Sequence, residues 1–95
     1  AYFWESPALT RYGIADRQHG YAELAAFRAA TPVPTFTREL HGVRITTFGE
    51  GHAVAQTEFT RSDTALRGFQ TQTWVKFPEG WKIVAAHVSM IPWPA

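Results

Sequence analysis

The chain has 95 residues, which is room for one domain, so 1–95 reads as a single unit. With 45% hydrophobic and 18% charged residues it is globular rather than disordered, and a net charge of +1 carries no bulk nucleic-acid footprint. The lack of cysteine excludes a disulfide scaffold, thiol catalysis and cysteine-ligated zinc, and no apolar run reaches the ~18 residues of a membrane helix.

Ala1-Tyr2-Phe3-Trp4 places three aromatic rings where termini are usually solvated. The sequence predicts the end of a buried helix there, with its start missing from the chain, closed by Ser6-Pro7. Partly uncovered rings at Tyr2, Phe3 and Trp4 are expected in consequence. No secretory signal pattern opens the chain, so a cytoplasmic location is expected. Leu9 to Ile14 reads as a short strand, with Gly13 as a bulge or close-approach point. Residues 16–20 read as a turn. Gly20 to Ala30 is a helix, with Tyr21, Leu24 and Phe27 along one stripe, and Thr31-Pro32 ends it.

From Phe36 the sequence is strand after strand. Phe36–Phe48 carries Gly42 as a bulge; Ala53–Arg61, Leu66–Phe77 and Trp81–Met90 follow, separated by turns at 49–51, 62–64 and 78–80. A helix feeding four long antiparallel strands is an α+β pattern with the helix on one face of a sheet. Period-2 alternation assigns Trp81, Ile83, Ala85, His87 and Ser89 to one face of the last strand. Neither face is fully polar. Both should therefore be covered, one by helix and the other by a partner subunit.

The stretches FWESPALTRYG, GYAELAAFRAATP, ITTFG, TEFTR and WVKFPEGWKIVAAHVS together resemble the AtzH-like and HpxZ-like proteins. Those belong to the nuclear-transport-factor-2/SnoaL-like superfamily, with its cystatin-like cone fold. The last stretch is shared across the superfamily, while the first two are more specific to the group. The resemblance implies a curved sheet wrapped around helices with a pocket at the open end. It implies catabolism of ureides or nitrogen heterocycles, by decarboxylating hydrolysis of a carboxylated urea or a step of oxalurate breakdown. It also implies that the arginine of T-R-Y-G, here Arg11, carries chemistry together with a tyrosine on a first helix that these residues do not include. Homodimers packed sheet to sheet are common among the proteins it resembles.

Arg11 is the candidate pocket cation, because a guanidinium presents a rigid fork to a carboxylate and keeps its charge at any working pH. It is expected to point into the cone toward His87 and Gln72, and to find a carboxylate partner or a bound anion. His87 is the candidate acid–base group, as imidazole titrates near neutrality. Trp4, Tyr12, Glu58, Gln72, Trp74 and Ser89 are candidate substrate-binding residues. Tyr12 and Trp4 would sit at the pocket mouth, Gln72 would donate hydrogen bonds, and Glu58 is the acid embedded in a strand. His19, His41 and His52 read as lying in or beside turns without metal-ligand spacing, so no metal is expected, and no cofactor. The expected partner is a small anionic substrate, with neither nucleic acid nor membrane. A non-catalytic, dimeric ligand-binding module of the same fold stays open as an alternative, as does an isomerase or dehydratase.

Overall fold

The computed structural model describes residues 2–92. In chain order they form β1 (Thr10–Tyr12), β2 (Arg17–His19), α1 (Tyr21–Ala30), β3 (Arg38–Phe48), β4 (His52–Arg61), β5 (Arg67–Phe77) and β6 (Gly80–Ile91). The strands make one six-stranded sheet in the order β2-β1-β6-β5-β4-β3. All neighbours are antiparallel except β1 and β6, which run parallel. This is the expected α+β architecture, a mixed sheet with a single helix.

Two segments differ from the sequence-based expectation. Residues 2–4 are extended rather than helical: Phe3 bridges Ile83 in parallel, the Trp4 N–H donates to the Ile83 carbonyl at 2.9 Å, and the Ile83 N–H donates to the Tyr2 carbonyl at 2.7 Å. The aromatic run therefore serves as an edge segment whose rings pack on the sheet. Tyr2 is 65% exposed and stacks at a tilt on Trp74, while Phe3 and Trp4 are half-buried. The expected turn at 16–20 instead contains β2, whose three residues are too few for alternation to reveal.

β1 and β2 form a tight hairpin about Ile14 and Ala15. The Gly13 N–H donates to the Asp16 carbonyl at 2.9 Å, and Arg11 stands opposite Gln18. α1 starts at Gly20, whose φ of 86° suits glycine, and the Glu23 carboxylate accepts the His19 N–H at 2.9 Å. It ends where the Thr31 hydroxyl donates to the Phe27 carbonyl at 2.6 Å, just before Pro32. The helix packs against β2 and buries Leu24 fully, with Phe27 half-buried beside it.

Registry sorts the sheet into a helix side and an outer side. Gly42, at φ 72°, is the extra residue of a bulge between His41 and Val43, as its place in the sequence suggested. A second bulge was not foreseen. Thr73 pairs with Ala85 but Trp74 pairs with Ile83, so Val84 is extra and the alternation of β6 breaks there. Ile83 consequently joins Ala86 and Val88 on the helix side, while Ala85, His87 and Ser89 face outward. The single-face grouping of Ile83 with His87 is corrected by that inserted residue. Phe59, Ile83 and Ala86, all on the helix side, are buried.

Candidate functional site

A cavity of about 380 Å³ opens on the helix side. Ala86 and Val88 of β6 and Gln70 and Gln72 of β5 lie along its sheet wall, Phe3 along one edge. Such a volume sits at the lower end of the range for small-molecule sites, ~300–1,000 Å³. Arg11, Arg28, Arg38 and Arg61 all line it.

Arg11 is held by the hairpin that carries it. Its Nη1 donates to Asp16 Oδ1 at 3.0 Å and to Gln18 Oε1 at 2.9 Å, and Gln18 Nε2 donates to the same Asp16 oxygen at 2.9 Å. Gln18 is 4% exposed, so this triangle is a fixed arrangement rather than a surface ion pair. Both bonds to Arg11 use Nη1, which leaves Nε and Nη2 for a ligand. The expected carboxylate partner is thus Asp16. The expected direction is met on one count only. Gln72 lines the same cavity, but His87 does not: Arg11 is in register with Ala86, and Tyr12, on the other face, with His87.

Each of the four arginines lies over an aromatic ring. The guanidinium carbon is 5.7 Å from the Phe27 ring centre for Arg11, 4.7 Å from Phe3 for Arg28, 4.1 Å from Phe59 for Arg38 and 3.6 Å from Phe36 for Arg61. Such contacts contribute about 0.5–1 kcal/mol each at exposed sites and hold the guanidinium plane while its N–H edge stays open. Among the described residues, the carboxylates paired with these arginines are Asp16 on Arg11 and Asp63 on Arg61. Arg38 and Arg28 have no carboxylate partner among the described residues, which leaves the described lining of the cavity with an excess of positive charge. Burial, and after it the charge of Arg61, pull the Arg38 guanidinium below its ordinary value.

Of the other residues singled out by sequence, Gln72 and Trp74 share the helix side, where the Trp74 indole N–H donates to Gln72 Oε1 at 3.2 Å. The remaining candidates do not face the cavity. Trp4 stacks on Phe77 with ring centres 5.5 Å apart, and it is its neighbour Phe3 that lines the cavity. Tyr12 meets His87 edge-on at 5.8 Å on the outer side. Glu58, in register with Phe69 and through it with Ser89, is also on the outer side and accepts from Arg67 Nε at 3.1 Å. His19 and His52 are end residues of β2 and β4, beside turns as expected, while His41 stands inside β3, where its Nε2 lies 2.8 Å from the Thr60 hydroxyl.

Arg28, Arg38 and Arg61 were missed by sequence reasoning. Arg38 and Arg61 become neighbours only through the pairing of β3 with β4. The available signal was Arg38-x-Leu40 and Phe59-x-Arg61, two strand-end arginines each one pleat from a large apolar side chain.

The AtzH-like family model matches residues 1–93. A protein of unknown function from Pectobacterium atrosepticum is 49% identical, with a TM-score of 0.91, over 95% of this chain and 70% of its own. A cystatin-like fold protein from Burkholderia xenovorans is 50% identical, with a TM-score of 0.90, over 97% of this chain and 73% of its own. A cystatin-like protein from Caulobacter vibrioides, 17% identical over 94% of this chain and 70% of its own with a TM-score of 0.76, shares the fold alone. No curated protein matches the chain. No helix among the described residues is long and apolar enough to cross a membrane.

Proposed function

Because the chain belongs to the AtzH-like family, we propose that it binds a short anionic ureide in the helix-side cavity and that Arg11 clamps a carboxylate of that substrate. The observation that carries this reading is the Arg11–Asp16–Gln18 triangle. It fixes a guanidinium at the wall of a cavity rich in arginine, with donor edges left over. Arg11 is half-buried, and Asp16 and Gln18 engage only its Nη1, so the rest of the fork is open to a carboxylate.

The chemistry this favours is decarboxylating hydrolysis of a carboxylated urea. The bond between nitrogen and the carboxylate carbon breaks, carbon dioxide leaves, and the electron pair passes to nitrogen and into the adjoining carbonyl. Water supplies the proton that nitrogen takes up, and the hydroxide left over adds to the carbon dioxide as bicarbonate. Guanidinium and glutamine N–H groups aimed at that carbonyl oxygen stabilise the charge where it arrives. His87 lies on the other side of the sheet and is no base for a ligand in this cavity. The protein acts as a homodimer through the outer side of β4, β5 and β6, where Val54, Thr73 and Ala85 stand side by side in register.

The test is mass-spectrometric analysis of products from a carboxylated urea and from oxalurate. Turnover of one of them is expected. Arg11→Ala and Arg11→Lys should both cost about 2–5 kcal/mol in binding or rate, since a point charge does not replace the fork. Tight binding without turnover would favour a ligand-binding module of the same fold. Full activity in Arg11→Ala would sink the clamp.

A further inference from the structure

Arg38 and Arg61 are direct cross-strand partners in the register of β3 on β4. Like charges placed opposite one another repel, and among the described residues the carboxylate that answers the pair is Asp63, on Arg61 alone. Asp63 is exposed and takes Nε and Nη2 of Arg61 at 2.9 and 2.6 Å, and Arg61 Nη1 lies 3.9 Å from Met90 Sδ. The hydrogen bond of Arg38 is to the neutral amide oxygen of Gln70, at 3.1 Å. Both guanidiniums are nonetheless held in place, one on the Phe59 ring and the other on Phe36. A pair of cations braced by aromatic rings and left without a shared carboxylate is arranged to receive an anion.

We infer that Arg38 and Arg61 form a second anion subsite in the cavity that Arg11 lines, and that together they select a short dianion over a monoanion. The inference rests on the reading that this cavity takes an anionic ligand. It adds which residues fix the far end of that ligand and therefore its charge. β6 and β5, which carry Ala86, Gln70 and Gln72, lie between β1 with Arg11 and the β4–β3 pair with Arg61 and Arg38. All of these residues line one cavity of about 380 Å³, which limits a ligand touching both ends to a short one, with two carboxylates a few bonds apart. The lowered value of the Arg38 guanidinium agrees with this, since burial and Arg61 act on it with no acid to counter them. It still carries its proton at any working pH.

The experiment uses malonate and monomethyl malonate, of similar length but with two charges and one, in calorimetric titrations at low ionic strength. Wild-type protein should prefer malonate at least tenfold. Arg38→Met keeps an apolar cover on Phe59 and removes the charge. It should cut the preference to within threefold, by weakening malonate far more than monomethyl malonate, and melt no lower than wild type, because a repulsion has gone. Equal affinity of wild type for the two probes would overturn the subsite, and that comparison needs no variant to fold. Malonate binding only at high millimolar concentration would mark an adventitious ion only and would overturn it equally. A full preference retained in Arg38→Met would do the same. Arg11→Met separates the two readings: it should weaken both probes alike. If it binds both as wild type does while Arg38→Met loses malonate, the Arg11 clamp fails and the subsite stands.

Discussion

At the scale of single residues, the arginine that matters depends on a glycine two positions on. A Cβ at Gly13 would meet the Asp16 carboxylate, which lies across the hairpin beside it. Gly13 is not in the left-handed region, so alanine is acceptable to the backbone and its whole cost is space. Gly13→Ala should therefore fold, push Asp16 off Arg11 Nη1, and let the guanidinium wander. We expect at least a tenfold loss of anion affinity with little change in melting temperature, read by titration and by a thermal melt of the same sample. An unchanged affinity would show that Asp16 does not orient Arg11. This logic was half legible in the sequence. Arg11 and the close approach at Gly13 could be read from T-R-Y-G, but Asp16 read as a turn residue and Gln18 carried no signal, because only the three-residue β2 places it opposite Arg11.

Secondary elements show the same division between what alternation can reveal and what it cannot. The four long strands announce themselves through β-branched and aromatic residues, and Gly42 marks its own bulge by its need for positive φ. Val84 gives no such mark, so the shift of β6 against β5 stays invisible and His87 is assigned to the wrong partners. The helix was plain, yet its hold is slender. Leu24 is the fully buried side chain of α1, and α1 is packed on β2, which supplies Gln18 to the arginine triangle. Truncating a buried leucine costs about 2–5 kcal/mol. Leu24→Ala should show that loss in urea unfolding, a large share of the stability of a small domain. It should also weaken anion binding by loosening β2. Stability lost with affinity intact would mean that β2 keeps its place without the helix.

On the scale of the whole molecule, the sheet is broader than its cover. The protein measures 40 × 32 × 19 Å, and the short dimension admits the sheet and one further layer, since packed layers lie ~10 Å apart. α1 fills part of that layer near β2, at one end of the strand order. β3, at the other end, leaves Leu40, Val43, Ile45 and Phe48 more than half exposed. On the outer side Thr71 is flanked in register by Gln56 and His87, and Thr73 by Val54 and Ala85. Val54, Thr71, Thr73 and Ala85 make a patch of small and β-branched side chains across three strands that a second sheet can approach, with Gln56 and His87 beside it. A two-fold contact there would bring Thr71 near its own copy, because residues beside a two-fold axis meet themselves. Sedimentation should therefore give a homodimer, with an interface of at least about 1,000 Å². Thr71→Glu would set two carboxylates against each other and should yield monomers. Because the arginine cavity opens on the opposite side of the sheet, those monomers should still bind malonate. A monomeric wild type at micromolar concentration would end the dimer proposal. A Thr71→Glu protein that stays dimeric would move the interface elsewhere, to the exposed apolar residues of β3.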